Sequence, residues 1–135
     1  MIEVRNITKS FDGKVILDDV SAEFDAGKTN LIIGQSGSGK TVLMKSIVGL
    51  LRPDSGEILY DGRDFLKMNN KEVKMLRREI GMLFQGSALF DSETVLGNVM
   101  FPLVMFSDMT HEEMLERAHF CIERVNLKGA DSKYP

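Results

Sequence analysis

Apolar and polar residues alternate along the first part of the chain, which is the pattern of half-exposed β-strands. Residues 2–7 (IEVRNI) alternate regularly, and residues 15–24 repeat the pattern less strictly after an Asp-Gly turn at residues 12–13. Both segments suit an antiparallel sheet. Residues 57–60 (EILY) predict a further strand that runs into a second Asp-Gly turn.

Two other apolar runs are typical of buried strands. They are residues 29–33 (TNLII) and residues 79–84 (EIGMLF). Apolar residues at helical spacing follow the first run over residues 41–50, and a break at residues 52–56 (RPDSG) ends that helix. Strands and a helix in this order predict a mixed α/β fold.

Two more helices are predicted from the residues that begin them. Asn69 or Asn70 can cap a charged helix that runs to about Arg78. Thr110, with Glu113 three positions later, has the spacing of a capping box, which predicts a helix that runs to about residue 125. The second half of the chain is therefore expected to be largely helical.

Residues 34–41 (GQSGSGKT) fit the phosphate-loop pattern G-x-x-x-x-G-K-[ST] at every fixed position. The glycines can adopt backbone angles that are closed to other residues, so that consecutive N–H groups turn towards an anion. Lys40 would bring a positive charge to the β- and γ-phosphates, and the Thr41 hydroxyl is placed to ligate Mg²⁺. The alternative is a glycine-rich turn that carries Gly-Lys-Thr by chance, but the predicted strand and helix on either side favour a nucleotide site. The predicted nucleotide-binding residues of the loop are Gly34, Gln35, Ser36, Gly37, Ser38, Gly39, Lys40 and Thr41.

Composition argues against several other classes of function. The formal net charge is −3 and the 17 basic residues are scattered, so a nucleic-acid partner is not indicated. The single cysteine, Cys121, excludes an internal disulfide framework, and the two histidines show no metal-ligand spacing with it. No apolar run approaches the ~20 residues that would span a bilayer. We therefore expect a cytoplasmic protein that reaches a membrane only through a partner.

Four segments together match a known pattern: residues 10–13 (SFDG), the phosphate loop, residues 50–56 (LLRPDSG) and residues 83–85 (LFQ). Through these segments the chain resembles, along its whole length, the ATP-binding subunits of ABC transporters. Residues 83–95 and 98–103 look closer still to the ATPases of bacterial phospholipid-asymmetry (Mla-type) transporters. The resemblance implies an α/β phosphate-loop NTPase of ABC type, in which an incomplete core sheet is joined to an antiparallel β-subdomain and a partial helical subdomain.

The same resemblance implies roles for two further side chains. Phe11 would stack on adenine, whereas a lone Phe at a strand end is more often a core residue. Gln85 would contact Mg²⁺ and the attacking water, whereas it could also be a polar residue that ends a strand. The implied catalytic residues are Lys40 and Gln85, the implied metal ligands are Thr41 and Gln85, and the implied cofactors are ATP and Mg²⁺.

The resemblance also implies partners. An ABC-type ATPase works with an integral-membrane permease subunit, forms a homodimer in its full-length form and lies on the inner face of the cell membrane. Residues 100–106 (MFPLVMF) are either ordinary helical core or part of the groove in which the permease docks a helix, because adaptable Met side chains suit such a groove.

In this family a Tyr-Pro pair such as residues 134–135 precedes the signature segment, the Walker B aspartate, the catalytic glutamate and the switch histidine. Residues 1–135 are therefore expected to be the N-terminal portion of a single ABC-type ATP-binding domain. One alternative is a nucleotide-binding or interaction fragment without catalytic activity of its own. A GTPase is disfavoured, because residues 70–73 (NKEV) lack the aspartate that guanine recognition requires.

Overall fold

The structure, a computed structural model, describes residues 1–84, 86 and 88–135. The chain folds into two compact units, Met1–Gly81 and Met82–Pro135. In chain order the elements are β1 (Ile2–Phe11), β2 (Lys14–Phe24), α1 (Lys40–Ile47), β3 (Ser55–Tyr60), β4 (Arg63–Asp64), a 3₁₀ turn (Phe65–Lys67), α2 (Asn70–Arg78), α3 (Val95–Phe106) and α4 (His111–Arg124).

A four-stranded antiparallel sheet forms the centre of the first unit, with the strand order β2-β1-β3-β4. β1 and β2 form a hairpin that closes at the pair Phe11 and Lys14. The two turn residues, Asp12 and Gly13, both have positive φ angles of 48° and 78°, as a tight hairpin turn of this hand requires. The antiparallel sheet predicted from the alternating pattern is therefore confirmed, with strands longer than predicted.

The core of the first unit lies on one face of this sheet. Val4 and Ile58 are cross-strand partners in β1 and β3, and both are buried. Helix α1 supplies Leu43 and Ile47 to the same cluster. The remaining buried members come from β1, β2, β3, the 3₁₀ turn and α2, and they are Ile7, Leu17, Tyr60, Phe65 and Leu76.

The prediction of two buried strands at residues 29–33 and 79–84 is wrong. In the described part of the chain neither segment is hydrogen-bonded as a strand. Leu31 is 82% exposed, Ile33 80% and Leu83 98%, whereas Ile32, between the first two, packs against the core. An apolar run becomes a buried strand only where neighbouring strands pair with it, and among the described residues the sheet ends at β2 and β4 without reaching either segment.

The helix predictions are confirmed. Asn69 caps α2 and Thr110 caps α4, and each forms the reciprocal capping box with the Glu three residues later. In the second unit α3 and α4 pack against each other. Residues 100–106 are helical as expected, but no residue of α3 is buried, so the core alternative for this segment is not supported. Within the described residues no helix is long and apolar enough to cross a bilayer.

Candidate functional site

The phosphate-loop sequence forms a tight loop that leads directly into α1. Gly37 has a φ angle of 79°, and Gly39, the N-cap of the helix, has a φ angle of 89°. A Cβ atom on Gly39 would lie 3.0 Å from the carbonyl oxygen of Ile16 and 3.1 Å from a methyl group of Leu17. Two features therefore require glycine at this position: the positive φ angle and the close approach of β2.

A side chain at the start of the loop would meet another residue of the loop. A Cβ atom on Gly34 would lie 2.8 Å from the hydroxyl oxygen of Ser38. The backbone N–H of Ser38 donates to the carbonyl of Gln35 at 3.2 Å, which closes the loop into a turn. Gly39 therefore excludes a side chain at the end of the loop, and a side chain at Gly34 would have to displace the Ser38 hydroxyl.

Lys40 is folded over this loop. Its Nζ donates to the carbonyl oxygens of Gly34 and Gln35, at 2.8 Å and 2.7 Å. An ammonium group has three donors, so one remains for an anion after these two bonds. The N-terminus of α1 has no side-chain cap and no acidic residue in its first turn, which leaves its first N–H groups and the positive end of its dipole available to the same anion.

A cavity of about 310 Å³ adjoins the loop and brings five of the predicted site residues together. Its volume lies at the lower end of the range for small-molecule sites. Phe11 shares it with Lys40 and Thr41, so an aromatic ring, a cation and a hydroxyl face one space. The described residues that line it are Phe11, Ile16, Gly37, Gly39, Lys40, Thr41 and Val42.

The other predicted site residues lie elsewhere. Gly34, Gln35, Ser36 and Ser38 form the loop but do not line this cavity. Gln85, predicted to act on Mg²⁺ and water, lies outside the described residues. Its role remains a prediction.

The ring of Phe11 has charged neighbours that sequence reasoning missed. Phe11 is 42% exposed, and the ammonium nitrogen of Lys9 lies 5.4 Å from its ring centroid. Lys9 is held by Asp54 at 2.6 Å, and Asp54 also accepts the backbone N–H of Ser10 at 2.7 Å. The hydrogen bond from Lys9, and after it the one from Ser10, lowers the pKa of Asp54. Nothing local in the sequence links residue 54 to β1.

The residues present fit a Mg²⁺-bound polyphosphate. The glycine positions form a cradle that a Cβ atom would fill, and Lys40 and the start of α1 supply positive charge. The described residues contain no cluster of three or more His, Cys, Asp or Glu side chains that could hold a metal ion by itself. Such a cluster is not needed, because Mg²⁺ beside a nucleotide is typically held by one or two protein oxygens, phosphate oxygens and water.

Comparison with known proteins gives several relatives of similar sequence. The chain is 39% identical over 134 residues to a probable ribonucleotide transport ATP-binding protein, mkl, of Mycobacterium leprae, covering 99% of this chain and 39% of that protein. It is 38% identical over 135 residues to the intermembrane phospholipid transport system ATP-binding protein MlaF of Haemophilus influenzae, covering 100% of this chain and 51% of that protein. It is 40% identical over 138 residues to the methionine import ATP-binding protein MetN of Carboxydothermus hydrogenoformans, covering 100% of this chain and 41% of that protein. The chain thus spans about half or less of the length of these curated relatives.

Solved structures agree with the sequence relatives. A dimeric ATP-binding cassette in a post-hydrolysis state, bound to ADP and Pi, superposes with a TM-score of 0.89 at 30% identity, covering 100% of this chain and 62% of that chain. The fold class predicted from the sequence is therefore confirmed. The family model described as ABC transporter matches residues 17–135, which include the whole phosphate loop. On this match the chain belongs to the ABC transporter family.

Proposed function

We propose that this chain is the nucleotide-binding part of an ABC transporter ATPase, which binds ATP with Mg²⁺ and, in the complete protein, hydrolyses it to drive transport. The observation that carries the proposal is the cavity shared by Phe11, Lys40 and Thr41. A purine ring, a triphosphate and a metal ion each find a matching group there. Family membership supports the same function.

Each residue of the site would have a distinct role. The backbone N–H groups of the loop and the start of α1 would bind the phosphate oxygens. Lys40 would direct its remaining N–H to the β- or γ-phosphate while the other two stay on the carbonyls of Gly34 and Gln35. Thr41, together with Gln85, would hold Mg²⁺, which offsets the negative charge that builds up between the phosphates. Phe11 would stack on adenine.

The site as described lacks one component of a hydrolase. None of the described residues that line the cavity is a carboxylate or an imidazole that could act as a general base. We therefore assign to residues 1–135 the binding side of a single ABC-type ATP-binding domain, with Gln85 positioning the attacking water. This observation also favours the second candidate, a nucleotide-binding fragment that does not hydrolyse ATP by itself.

The partner that we propose is an integral-membrane permease, which would hold the protein on the cytoplasmic face of the membrane. In the second unit, Phe101, Val104, Met105 and Phe106 of α3 are exposed, which suits a surface that accepts an apolar helix. The solved relative is a dimer, and we propose that the full-length protein also pairs with itself. Co-purification with the permease should fail in Met105→Glu and persist in Glu116→Gln, a change on α4 of the same unit.

The transported substrate that we propose is a phospholipid. The Mla-type resemblance of residues 83–95 and 98–103 and the match to MlaF support it, whereas mkl and MetN bear the names of other substrates. ATP hydrolysis by the protein with its permease in detergent micelles should rise when phospholipid is added. A rise with methionine or a ribonucleotide instead would reject the lipid assignment and leave the ATPase assignment in place.

Calorimetry on Lys40→Ala tests the nucleotide site directly. Because Lys40 is the only side chain of the loop with a full positive charge, its loss should weaken Mg-ATP binding by about 1.5–3 kcal/mol, the range for hydrogen bonds to charged groups. Lys45→Ala is the matched control, since Lys45 lies in the last turn of the same helix and is exposed. Equal affinities in wild type and Lys40→Ala would reject the proposal.

Phosphate release separates the two candidates. If hydrolysis needs residues beyond 1–135, this polypeptide alone should release phosphate from ATP no faster than its Lys40→Ala variant, while the full-length protein should show Lys40-dependent release. If neither residues 1–135 nor the full-length protein released phosphate, the non-catalytic candidate would be favoured. Lys40-dependent release from residues 1–135 alone would contradict the division of roles that we propose.

A further inference from the structure

Lys9, Phe11 and Asp54 form a cluster at the end of β1, beside the loop cavity. The ammonium nitrogen of Lys9 lies 5.4 Å from the centroid of the Phe11 ring, within the distance at which a cation is attracted to an aromatic face. The Lys9 side chain is only 15% exposed, so most of its length is covered by neighbouring residues, whereas the Asp54 side chain is 45% exposed. The ring of Phe11 and the carboxylate of Asp54 thus contact the same ammonium group.

Asp54 fixes the other side of this cluster. One carboxylate oxygen accepts from Lys9 Nζ at 2.6 Å, and the other accepts from the backbone N–H of Ser10 at 2.7 Å. The backbone N–H of Asp54 donates in turn to the carbonyl of Thr8 at 2.9 Å. A single residue therefore holds the β1 backbone immediately before Phe11 and also the cation that lies over the ring of Phe11.

The position of Asp54 in the chain connects this cluster to the phosphate loop. Asp54 lies in the short segment between α1, which begins at Lys40, and β3. The phosphate loop thus precedes α1, and Asp54 lies at the end of the segment that connects α1 to β3. The phosphate end and the ring end of the cavity are linked through a continuous stretch of chain.

We propose that Lys9 and Asp54 are positioning residues for the nucleobase, which act by holding the Phe11 ring in the orientation that stacks on adenine. The inference rests on the proposed function of the site. A ring held on one face by a cation has the opposite face for a base, and it loses less rotational freedom when the base arrives. Neither Lys9 nor Asp54 lines the cavity, so they act through Phe11 and not on the phosphates.

Two ligands that differ only in the presence of the nucleoside test this inference. Calorimetry with Mg-ATP and with Mg-tripolyphosphate is carried out on full-length wild type, Lys9→Met and Lys9→Arg. We expect Lys9→Met to weaken ATP binding about two- to fivefold, because a ring that Lys9 no longer holds has to be ordered when the base binds, and this is the lower part of the range for ordering one side chain. Tripolyphosphate binding should not change. Lys9→Arg should retain the wild-type affinity for ATP, since a guanidinium can pair with Asp54 and lie over the ring.

Two further variants complete the design. Lys67→Met removes a lysine whose ion pair with Asp64, at 2.7 Å, resembles that of Lys9 and Asp54 but involves no ring, and it should leave both ligands unaffected. In a Phe11→Ala background, Lys9→Met should cause no further loss of ATP affinity, because the ring on which Lys9 acts is gone.

The outcomes are distinguishable. Equal losses for ATP and tripolyphosphate in Lys9→Met, or an undiminished loss in the Phe11→Ala background, would overturn the inference while leaving the phosphate site intact. Unchanged ATP binding in Lys9→Met would also overturn it. If wild type binds neither ligand, the proposed function itself fails and the inference fails with it.

Discussion

The hydroxyl of Tyr60 donates a hydrogen bond to the backbone carbonyl of Ile47 at 2.5 Å. Tyr60 is the last residue of β3, and Ile47 is the last residue of α1. Carbonyl groups in the last turn of a helix have no partner within the helix, so the tyrosine satisfies a group that would otherwise be buried without one. Because α1 is eight residues long, fixing its end to the sheet also fixes its beginning, where Lys40 is located.

Tyr60→Phe should lower the free energy of unfolding by about 1–3 kcal/mol. The substitution keeps the ring in the core but leaves the Ile47 carbonyl without its donor, and that range is the cost of a buried group that loses its partner. Urea unfolding measures the change. Tyr134→Phe is the control, because Tyr134 is exposed and the same loss of a hydroxyl there should have no effect. Equal effects of the two substitutions would contradict a role for the buried bond.

The same residue predicts a dependence on alkaline pH. Burial raises the pKa of Tyr60 from 10.0 to about 12. Below pH 10 the hydroxyl is protonated in the folded and unfolded chains alike, and its stabilising contribution is fully present. As the pH rises from about 10 to about 12 the unfolded chain loses the proton first, so the free energy of unfolding should fall. The difference between wild type and Tyr60→Phe should therefore shrink across this window, and a constant difference would argue against the raised pKa.

Gly49→Ala should be more destabilising than an ordinary change at a glycine of positive φ. Gly49 follows α1 with a φ angle of 72°, and the N–H groups of Gly49 and Leu50 donate to the carbonyls of Ser46 and Lys45, which is the Schellman arrangement of a helix end. A Cβ atom at this position would overlap the ring of Phe65. We expect a loss of about 2–5 kcal/mol, from backbone strain and overpacking together.

Gly13→Ala separates the two contributions. Gly13 has a similar φ angle of 78°, but a Cβ atom there would meet nothing within 4 Å. Its substitution should cost only the backbone term, about 1–2 kcal/mol. Thermal or urea unfolding of the two variants gives the comparison. Equal losses would mean that the Phe65 ring moves aside without cost.

Thr110→Ala should destabilise the second unit by about 1 kcal/mol, the usual cost of losing an N-cap. The Thr110 hydroxyl accepts the N–H of Glu113 at 3.3 Å, and the Glu113 carboxylate accepts the N–H of Thr110 at 2.7 Å. Thr110→Ser retains both bonds and should behave as wild type. Loss of helical circular dichroism on heating measures the effect, and a Ser variant as unstable as the Ala variant would rule out the cap as its cause.

The capping box also predicts a dependence on acidic pH. The N–H of Thr110, and after it the hydroxyl, lowers the pKa of Glu113 below 4.5. A carboxylate with a lowered pKa stabilises the folded state above its unfolded pKa, and this contribution is lost as the pH falls through the folded value. Glu113→Gln should remove this part of the acid sensitivity. Identical acid titrations of wild type and Glu113→Gln would contradict the prediction.

Local signals allowed the accurate sequence predictions, and pairing between distant segments explains the failures. A capping box is complete within four residues, and the phosphate loop within eight, so both could be found from the sequence. Residues 29–33 have the composition of a buried strand, but a strand also needs partners, which the sequence of the segment does not specify. The bond between Asp54 and Lys9 joins residues 45 positions apart, and no periodicity predicts such a contact.

Hydrogen exchange should distinguish β1 from residues 31–33 within the same unit. β1 lies between β2 and β3, and its buried residues Val4 and Ile7 belong to the core, so amides that it donates to the ladder should exchange slowly. Residues 31–33 make no backbone hydrogen bond in the described part of the chain, and Leu31 and Ile33 are exposed, so their amides should exchange nearly as fast as in an unfolded peptide. Mass spectrometry of a dilute monomeric sample of residues 1–135 measures both. Strong protection of residues 31–33 in that sample would mean that they pair with a strand after all, and protection that rises with protein concentration would mean that exposed apolar segments pair between copies.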